Sequence, residues 1–483
     1  MKEMLFPIER DEGRTLQSQI REELERAVAS GRFMPGDPAP STRKLSQSLG
    51  VSRNTVSIAY QVLVDQGVLE ARERSGYYIA RQSASTVSPN RAPEAQIGWG
   101  NRLTARPSGF EPVPRPHDWR TAPFPFIYGQ FDPALFPISE WRDATRKAMG
   151  RRWLEDWTED RYVEDDPMLV DQIRRRLLPR RGVAAEPEEI LITLGGQNAI
   201  YLAAELLIPL GAPAVIEDPG YQDARAIMGA RTDCLRAQPV DGEGMLVDER
   251  LEGARMIYVT PSHHYPSMVT MSLPRRTALL EAAERYDSVI LEDDYEPEAN
   301  AAAAPRPALR ALDRRGRVIY AGSLSKSIMP GLRLGYLVGA PEFIQEARAL
   351  RRMLLRHPPG VNQRVAAIFI AARHHDMLLG RIKRAMAVRR ASALTALAHY
   401  APHWHVAGAE GGGGLWVACP DDVDTRLLAK EAMKDGVMIE PGDVCFAAEP
   451  RPRHFFRLGL SVIDESKVDE GVRLLVAAAR RLT

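Results

Sequence analysis

Between residues 189 and 340 the chain carries six short runs that are apolar almost from end to end: "EILIT", "PAVIED", "RMIYVT", "SVILED", "RVIYAGS" and "LRLGYLVGA". Strands with one wet face alternate apolar and polar residues. These do not, so both their faces must be covered. Segments of helical period, among them "NAIYLAAELLI" and "RRTALLEAAERYD", fall between them. A chain that alternates buried strands with helices can satisfy both only as an α/β sheet, mostly parallel, with helices on each side.

That sheet cannot be the whole molecule. The chain has 483 residues, more than the roughly 250–300 that one core holds. Residues 372–483 place "GGGGLWVAC", "GVMIEPG" and "FFRLGLS" between helices and read as a smaller α+β domain beside a large one at 119–371. Residues 81–118 are rich in Pro, Ser, Arg and Ala without a sustained period, and read as a linker with a few apolar residues able to dock on a neighbouring surface. Residues 1–80 form a separate small unit.

Composition removes several classes. Net charge is +1, so any polyanion contact must be a local patch. The three cysteines, Cys234, Cys419 and Cys445, have no metal-ligand spacing, and no metal is expected. No apolar run is long enough to span a bilayer, and the N-terminus has no apolar leader core. A cytoplasmic protein is the expectation.

In the first unit, Leu16, Ile20, Leu24 and Val28 recur at helical spacing and Gly31 follows as a stop. Ser41 and Gly50 bracket a second helix. Ser52 and Gly67 bracket a third, with Val56, Tyr60 and Leu63 on one face. "VLEARERSGYYIA" then suggests a two-stranded ribbon turning near Ser75-Gly76. Helix, turn, helix and ribbon make a winged helix-turn-helix. Residues 41–60 hold Arg43, Lys44 and Arg53 and no acidic side chain. Ser52, Asn54 and Thr55 can donate to phosphates or base edges, Arg53 can reach guanine or phosphate, and Arg72 and Arg74 in the wing can track a minor groove or the backbone.

In the body, Lys326 sits in "SLSKSIMPGLRLGY". A lysine can join an aldehyde cofactor as a Schiff base, and pyridoxal 5′-phosphate (PLP) then needs four kinds of support. Asp293, at a strand end, can hold the ring nitrogen's proton. Tyr295 can donate to the ring hydroxyl. Tyr221 can stack on the ring. The glycine pair Gly195-Gly196, with Gln197, opens a helix whose N–H groups can hold phosphate, together with Ser323, Ser325 and Arg333.

"GRFMPGDPAPSTRKLSQSLGVSRNTV" resembles the GntR-type winged helix, with Pro38-Ala39 where that family has Arg-Leu. The resemblance implies DNA contacts by Arg43, Ser52, Arg53, Thr55 and Gly76. The order of glycine turn, "EDPGY", Asp293-x-Tyr295 and Ser-x-Ser-Lys resembles fold-type I aminotransferases. It implies that Arg457 binds a carboxylate and that Tyr162 reaches the cofactor phosphate of a neighbouring subunit. Two departures stand out: Tyr265 and Met268 in "HHYPSM" replace the Asn and Gly of the family's Asn-Pro-x-Gly turn, and "VEDDPMLVDQI" lacks the usual Gly after Asp-Pro.

The whole layout resembles the MocR (GabR-like) transcriptional regulators, and "LRRMLLRHPPGVNQR" resembles their taurine- or ectoine-related subgroup. The resemblance implies a head-to-tail homodimer that binds operator DNA and carries PLP on Lys326. It would respond to a small amine or amino acid, held by Arg457 beside Tyr265, or to PLP itself. Weak transamination is compatible with this. Two other readings stay open: a working aminotransferase with an autoregulatory head, and a DNA-binding protein whose body no longer uses PLP.

Overall fold

The computed structural model describes residues 15–73, 75–81, 102–113, 119–296, 306–408 and 411–482. The chain divides into two units, residues 1–106 and 107–483. In the first, α1 (Leu16–Ala29), α2 (Thr42–Leu49) and α3 (Arg53–Asp65) precede the ribbon of β1 (Leu69–Arg72) and β2 (Gly76–Ile79). Each helix starts on a hydroxyl: Thr15, Ser41 and Ser52 accept from the N–H groups of Ser18, Lys44 and Thr55. Ile20, Leu24, Leu45, Val56, Tyr60, Leu63, Leu69 and Ile79 close one core. The buried Tyr60 hydroxyl donates to the Pro40 carbonyl at 2.9 Å, so its polar end is satisfied too.

The second unit is built on an eight-stranded sheet. Its strands are β3 (Ile190–Thr193), β4 (Ala214–Asp218), β5 (Leu235–Asp241), β6 (Gly244–Met245), β7 (Met256–Val259), β8 (Val289–Asp294), β9 (Val318–Ser323) and β10 (Gly335–Val338). Their order is β3-β10-β9-β8-β7-β4-β5-β6. Strands β5, β4, β7, β8 and β9 run parallel. β10 is antiparallel to both neighbours, and β6 is antiparallel to β5. All six apolar runs are strands of this sheet. Separate cores cover its two faces, one including α4 (Gly196–Leu207) and the other α5 (Leu273–Arg285).

A smaller antiparallel sheet follows, of β11 (His405–Ala407), β12 (Gly414–Ala418), β13 (Glu440–Pro441) and β14 (Phe455–Gly459), in the order β11-β12-β14-β13. The division between the two cores does not fall at residue 372. The 27-residue helix α6 (His374–Tyr400) gives Leu378 to the large core and Met386, Ala393 and Leu397 to the small one. Phe126, far earlier in the chain, is also buried in the small core. Local period alone does not reveal such a shared helix or such a returning arm.

Residues 82–101 and 114–118 of the stretch read as a linker lie outside the described residues. Residues 107–113 belong to the body. Glu111 pairs with Arg426 at 3.2 Å and Arg451 at 3.1 Å, and Val113 packs on Trp416, Val444 and Cys445.

The head has its own core, so damage there should stay local. Leu63→Ala should lower the stability of the head by about 2–5 kcal/mol. Calorimetry should show one transition moving down while the transition of residues 107–483 stays in place.

Candidate functional site

The carboxyl ends of the parallel strands open into one cavity of about 360 Å³, the place where α/β sheets offer loops and helix N-termini to a ligand. Gly196, Gln197, Tyr221, Asp293, Tyr295, Ser323, Ser325, Lys326 and Arg333 all line it, as do Tyr265 and Arg457. Residues spread over more than 250 positions thus meet at one place.

The floor is set by β8. Successive residues of a strand face opposite ways, so Asp293 and Asp294 part company. Asp294 accepts from Arg181 Nε at 2.7 Å and from the Tyr320 hydroxyl at 2.8 Å, and this hold keeps it well below the usual carboxylate range despite burial. Asp293 lines the cavity and accepts from the Tyr258 hydroxyl at 2.7 Å. Burial pushes Asp293 up to about 7; the Tyr258 hydroxyl opposes this and the charge of Asp294 adds to it. No cation is among these influences. A protonated ring nitrogen would supply one.

At the far wall, Gly195 opens α4 with φ +81 and no side-chain cap on the helix. A Cβ on Gly195 would stand 3.0 Å from Arg333 Nη2, so only glycine lets the guanidinium lie against the turn. Arg333 donates to the Leu194 carbonyl at 3.4 Å, and Ser325 N–H donates to Ser323 Oγ at 3.2 Å. The first N–H groups of the uncapped helix, two serines and an arginine suit an anionic phosphate. Lys326 Nζ donates to the Gly129 carbonyl at 3.1 Å and lies 4.8 Å from the centroid of the Tyr128 ring. The Tyr295 hydroxyl is buried and has no hydrogen-bond partner among the described residues, as a donor awaiting a ring oxygen would be. These residues fit PLP.

Arg457 closes the other end. It is 3 % exposed and packs against the rings of Tyr128 at 3.5 Å and Tyr265 at 4.5 Å. Among the described residues its Nε and Nη1 have no hydrogen-bond partner. Stacking on aromatic rings returns about 2 kcal/mol when desolvated, less than the several kcal/mol that a buried charge costs. An anion at the open nitrogens would restore the balance.

Several lining residues carry no motif of their own. Tyr128 and Gly129 come from the returning arm, Tyr258 and Thr260 from the end of β7, Glu440 from β13, and Pro112 and Val113 from the docked segment. A hydroxyl in "RMIYVT" and a charge in "GVMIEPG" were the available signals. Tyr162 does not line the cavity: it is 60 % exposed, at φ +57, with Arg356 stacked over its ring at 5.2 Å.

In the head, Arg43, Ser52, Arg53, Asn54, Arg72 and Gly76 are exposed and Thr55 is half-buried. Ser52 Oγ lies 2.8 Å from Thr55 Oγ1, and Arg53 Nε donates to Thr42 Oγ1 at 3.4 Å. Arg72 is less available: its Nε donates to Glu70 at 2.9 Å and its guanidinium stacks on Tyr78 at 4.1 Å. Arg74 lies outside the described residues.

Residues 16–79 match the family described as bacterial regulatory proteins, gntR family, and residues 132–475 match aminotransferase class I and II. The HTH-type transcriptional regulator TauR of Rhodobacter capsulatus is 42 % identical over 96 % of this chain and 97 % of its own. The probable rhizopine catabolism regulatory protein MocR of Rhizobium meliloti is 29 % identical over 98 % of this chain and 96 % of its own. Among solved structures, the kynurenine aminotransferase of Pyrococcus horikoshii in complex with PMP superposes with a TM-score of 0.72. It is 26 % identical and covers 80 % of this chain and 98 % of its own.

The raised Asp293 predicts a pH dependence. Without a cation beside it, Asp293 holds its proton up to about pH 7 when folded, and only to about pH 4 when unfolded. The folded state therefore binds more protons in that window. The stabilisation is full below it and is lost as pH rises from about 4 to 7. Asp293→Asn should remove this loss, so ligand-free variant protein should gain a few kcal/mol over wild type at pH 8 and little at pH 4. Thermal unfolding at the two pH values measures the difference.

Proposed function

The chain belongs to the class I and II aminotransferase family and carries a gntR-family head, as a MocR-like transcriptional regulator, and we propose that it senses an amino compound through PLP held on Lys326. When bound, PLP supplies an aldehyde carbon that joins reversibly to primary amines. Lys326 is its attachment point. Asp293 would hold the proton on the ring nitrogen, and Tyr295 would donate to the ring hydroxyl. Tyr221 would lie against the ring. The N–H groups of Gly196 and Gln197, with Gly195 giving room to Arg333, would hold the phosphate together with Ser323, Ser325 and Arg333. In a head-to-tail homodimer the exposed Tyr162 would reach the partner's phosphate.

The observation that carries the reading is Arg457, buried in the same cavity with Nε and Nη1 unmet. Lys326 Nζ and the Arg457 guanidinium lie 4.8 Å and 3.5 Å from the centroid of one ring, Tyr128. Their separation cannot exceed the two distances together. The effector is therefore a compact molecule with a primary amine and an acid group a few atoms apart. Sensing is favoured over turnover by Tyr265, which stands where the family's turn has Asn.

The head would bind operator DNA through Arg43, Ser52, Arg53, Asn54 and Thr55, with Arg72 and Gly76 of the wing on the backbone. Communication between cavity and head would run through residues 107–113. Pro112 and Val113 form cavity wall. The Glu111 pairs beside them are part-exposed and worth at most about 1 kcal/mol each, weak enough for an effector to shift.

Two experiments test this. Lys326→Ala should abolish the visible absorbance of the lysine-bound cofactor and leave effector-free operator affinity within a few-fold. Arg43→Ala should do the reverse, with at least a tenfold loss of operator affinity. Loss of both properties in either variant contradicts two separate modules. Rapid stoichiometric release of pyridoxamine phosphate and keto acid from a single turnover would favour a working aminotransferase instead.

The double variant Glu111→Ala, Val113→Ala should keep the absorbance band and operator affinity but lose most of the change in operator affinity produced by an amine. Titrating labelled operator with and without that amine gives the answer. An unchanged response removes residues 107–113 from the coupling.

A further inference from the structure

Met268 has a backbone conformation that side chains avoid. Its φ is +62, in the left-handed region, where a non-glycine residue is strained. The residue is nonetheless 1 % exposed and held on two sides. Gly408 and Gly412 of the small domain form a slot for it. A Cβ at Gly408 would come within 2.5 Å of the Met268 Cβ, and one at Gly412 within 2.4 Å of its sulfur. Both glycines themselves have positive φ. A strained methionine and two bare glycines on the opposing domain make a fitted knob and socket.

The knob ends on the arginine. Met268 Sδ lies 3.8 Å from Arg457 Nη2, while among the described residues Nε and Nη1 have no hydrogen-bond partner. A guanidinium can grip a carboxylate through its side edge, Nε with Nη2, or its end edge, Nη1 with Nη2. Nη2 is common to both and has one hydrogen for each. A thioether on one of those hydrogens closes one edge and leaves the other. Sulfur is a weak acceptor, so the effect is chiefly one of occupied space and direction.

We propose that Met268 is a specificity-determining residue: it restricts Arg457 to one edge and fills the space beside the acid group, so that the site selects compact, unbranched amino acids. The inference rests on the effector reading above and goes beyond it by naming the residue that sets the shape of the ligand. Tyr128 and Tyr265 then limit the acid group from the faces of the guanidinium, and Met268 limits it within the plane.

The test compares full-length, cofactor-loaded wild type with Met268→Gly and Met268→Leu. Glycine suits the left-handed backbone and empties the slot. Leucine keeps the bulk and lacks the sulfur. Two probe series are titrated by calorimetry: unbranched ω-amino carboxylates of two to five carbons, and α-amino carboxylates with side chains from methyl to isobutyl. Wild type should prefer the unbranched series. Met268→Gly should shift the ratio of affinities toward the branched series by tenfold or more, and Met268→Leu should keep the wild-type preference. An unchanged ratio in Met268→Gly overturns the proposal while leaving the effector reading intact, provided Arg457→Met still abolishes binding. If no protein binds either series, the effector reading fails and the proposal falls with it.

Discussion

The buried pair of Asp294 and Arg181 is the interaction on which the site depends. Both side chains are almost fully buried; Arg181 is well supplied with partners, and Asp294 accepts two bonds at Oδ2. Arg181 also donates to Ser262 Oγ at 2.6 Å and to the Arg306 carbonyl at 3.0 Å, and Tyr320 donates to Asp294. Removing one side of such a pair costs about 3–5 kcal/mol because the other is left as an uncompensated charge. Tyr320 stands on β9, so its bond to Asp294 ties β8 to β9 in the observed register. The pleat then leaves Asp293 one residue away on the opposite face, at the cavity. A one-residue slip would exchange the two carboxylates and place the ion-paired one in the ligand site.

Around that lock the cavity is divided by charge. Its acidic side has Asp293 with Glu217 behind it, whose carboxyl accepts from Thr260 N–H at 3.0 Å and Oγ1 at 2.6 Å, and which burial pushes up to about 8. Its basic side has Lys326, Arg333 and Arg457. Glu440, opposite Arg457 across the β13–β14 pair, offsets part of the charge on the basic side. The arrangement suits a ligand that brings both signs: a cationic ring nitrogen for the floor, a phosphate for the helix N-terminus and an acid group for Arg457.

What the sequence revealed follows the range over which each signal acts. Strands buried on both faces announce themselves as apolar runs, and six were legible. β5 was not, because "LRAQPVD" mixes charges, an amide and a proline at the margin of the sheet. The head was fully legible because caps and stops are local: Ser41, Ser52, Gly31, Gly50 and Gly67 each act within a turn of their own helix. Residues that carry a motif are brought together at the cavity. Tyr128, Tyr258 and Glu440 are not legible in the sequence, because nothing local distinguishes a tyrosine or glutamate that a fold brings to a cavity from one it does not. The domain border was misplaced for a related reason: α6 is one uninterrupted helix, and only its packing shows that two cores share it.

If the segment from Glu111 to Val113 is the joint, as proposed, little energy is needed to shift it. An effector shifts a two-state equilibrium only by the difference in its affinity for the two states. Moving an equilibrium from about 1:99 to 99:1 takes roughly 5.5 kcal/mol. A deeply buried strap would resist a shift of that size. Two part-exposed ion pairs and one half-buried valine resist with much less. Pro112 and Val113 also line the cavity that Arg457 closes, so a ligand drawn to that arginine is drawn to the same wall.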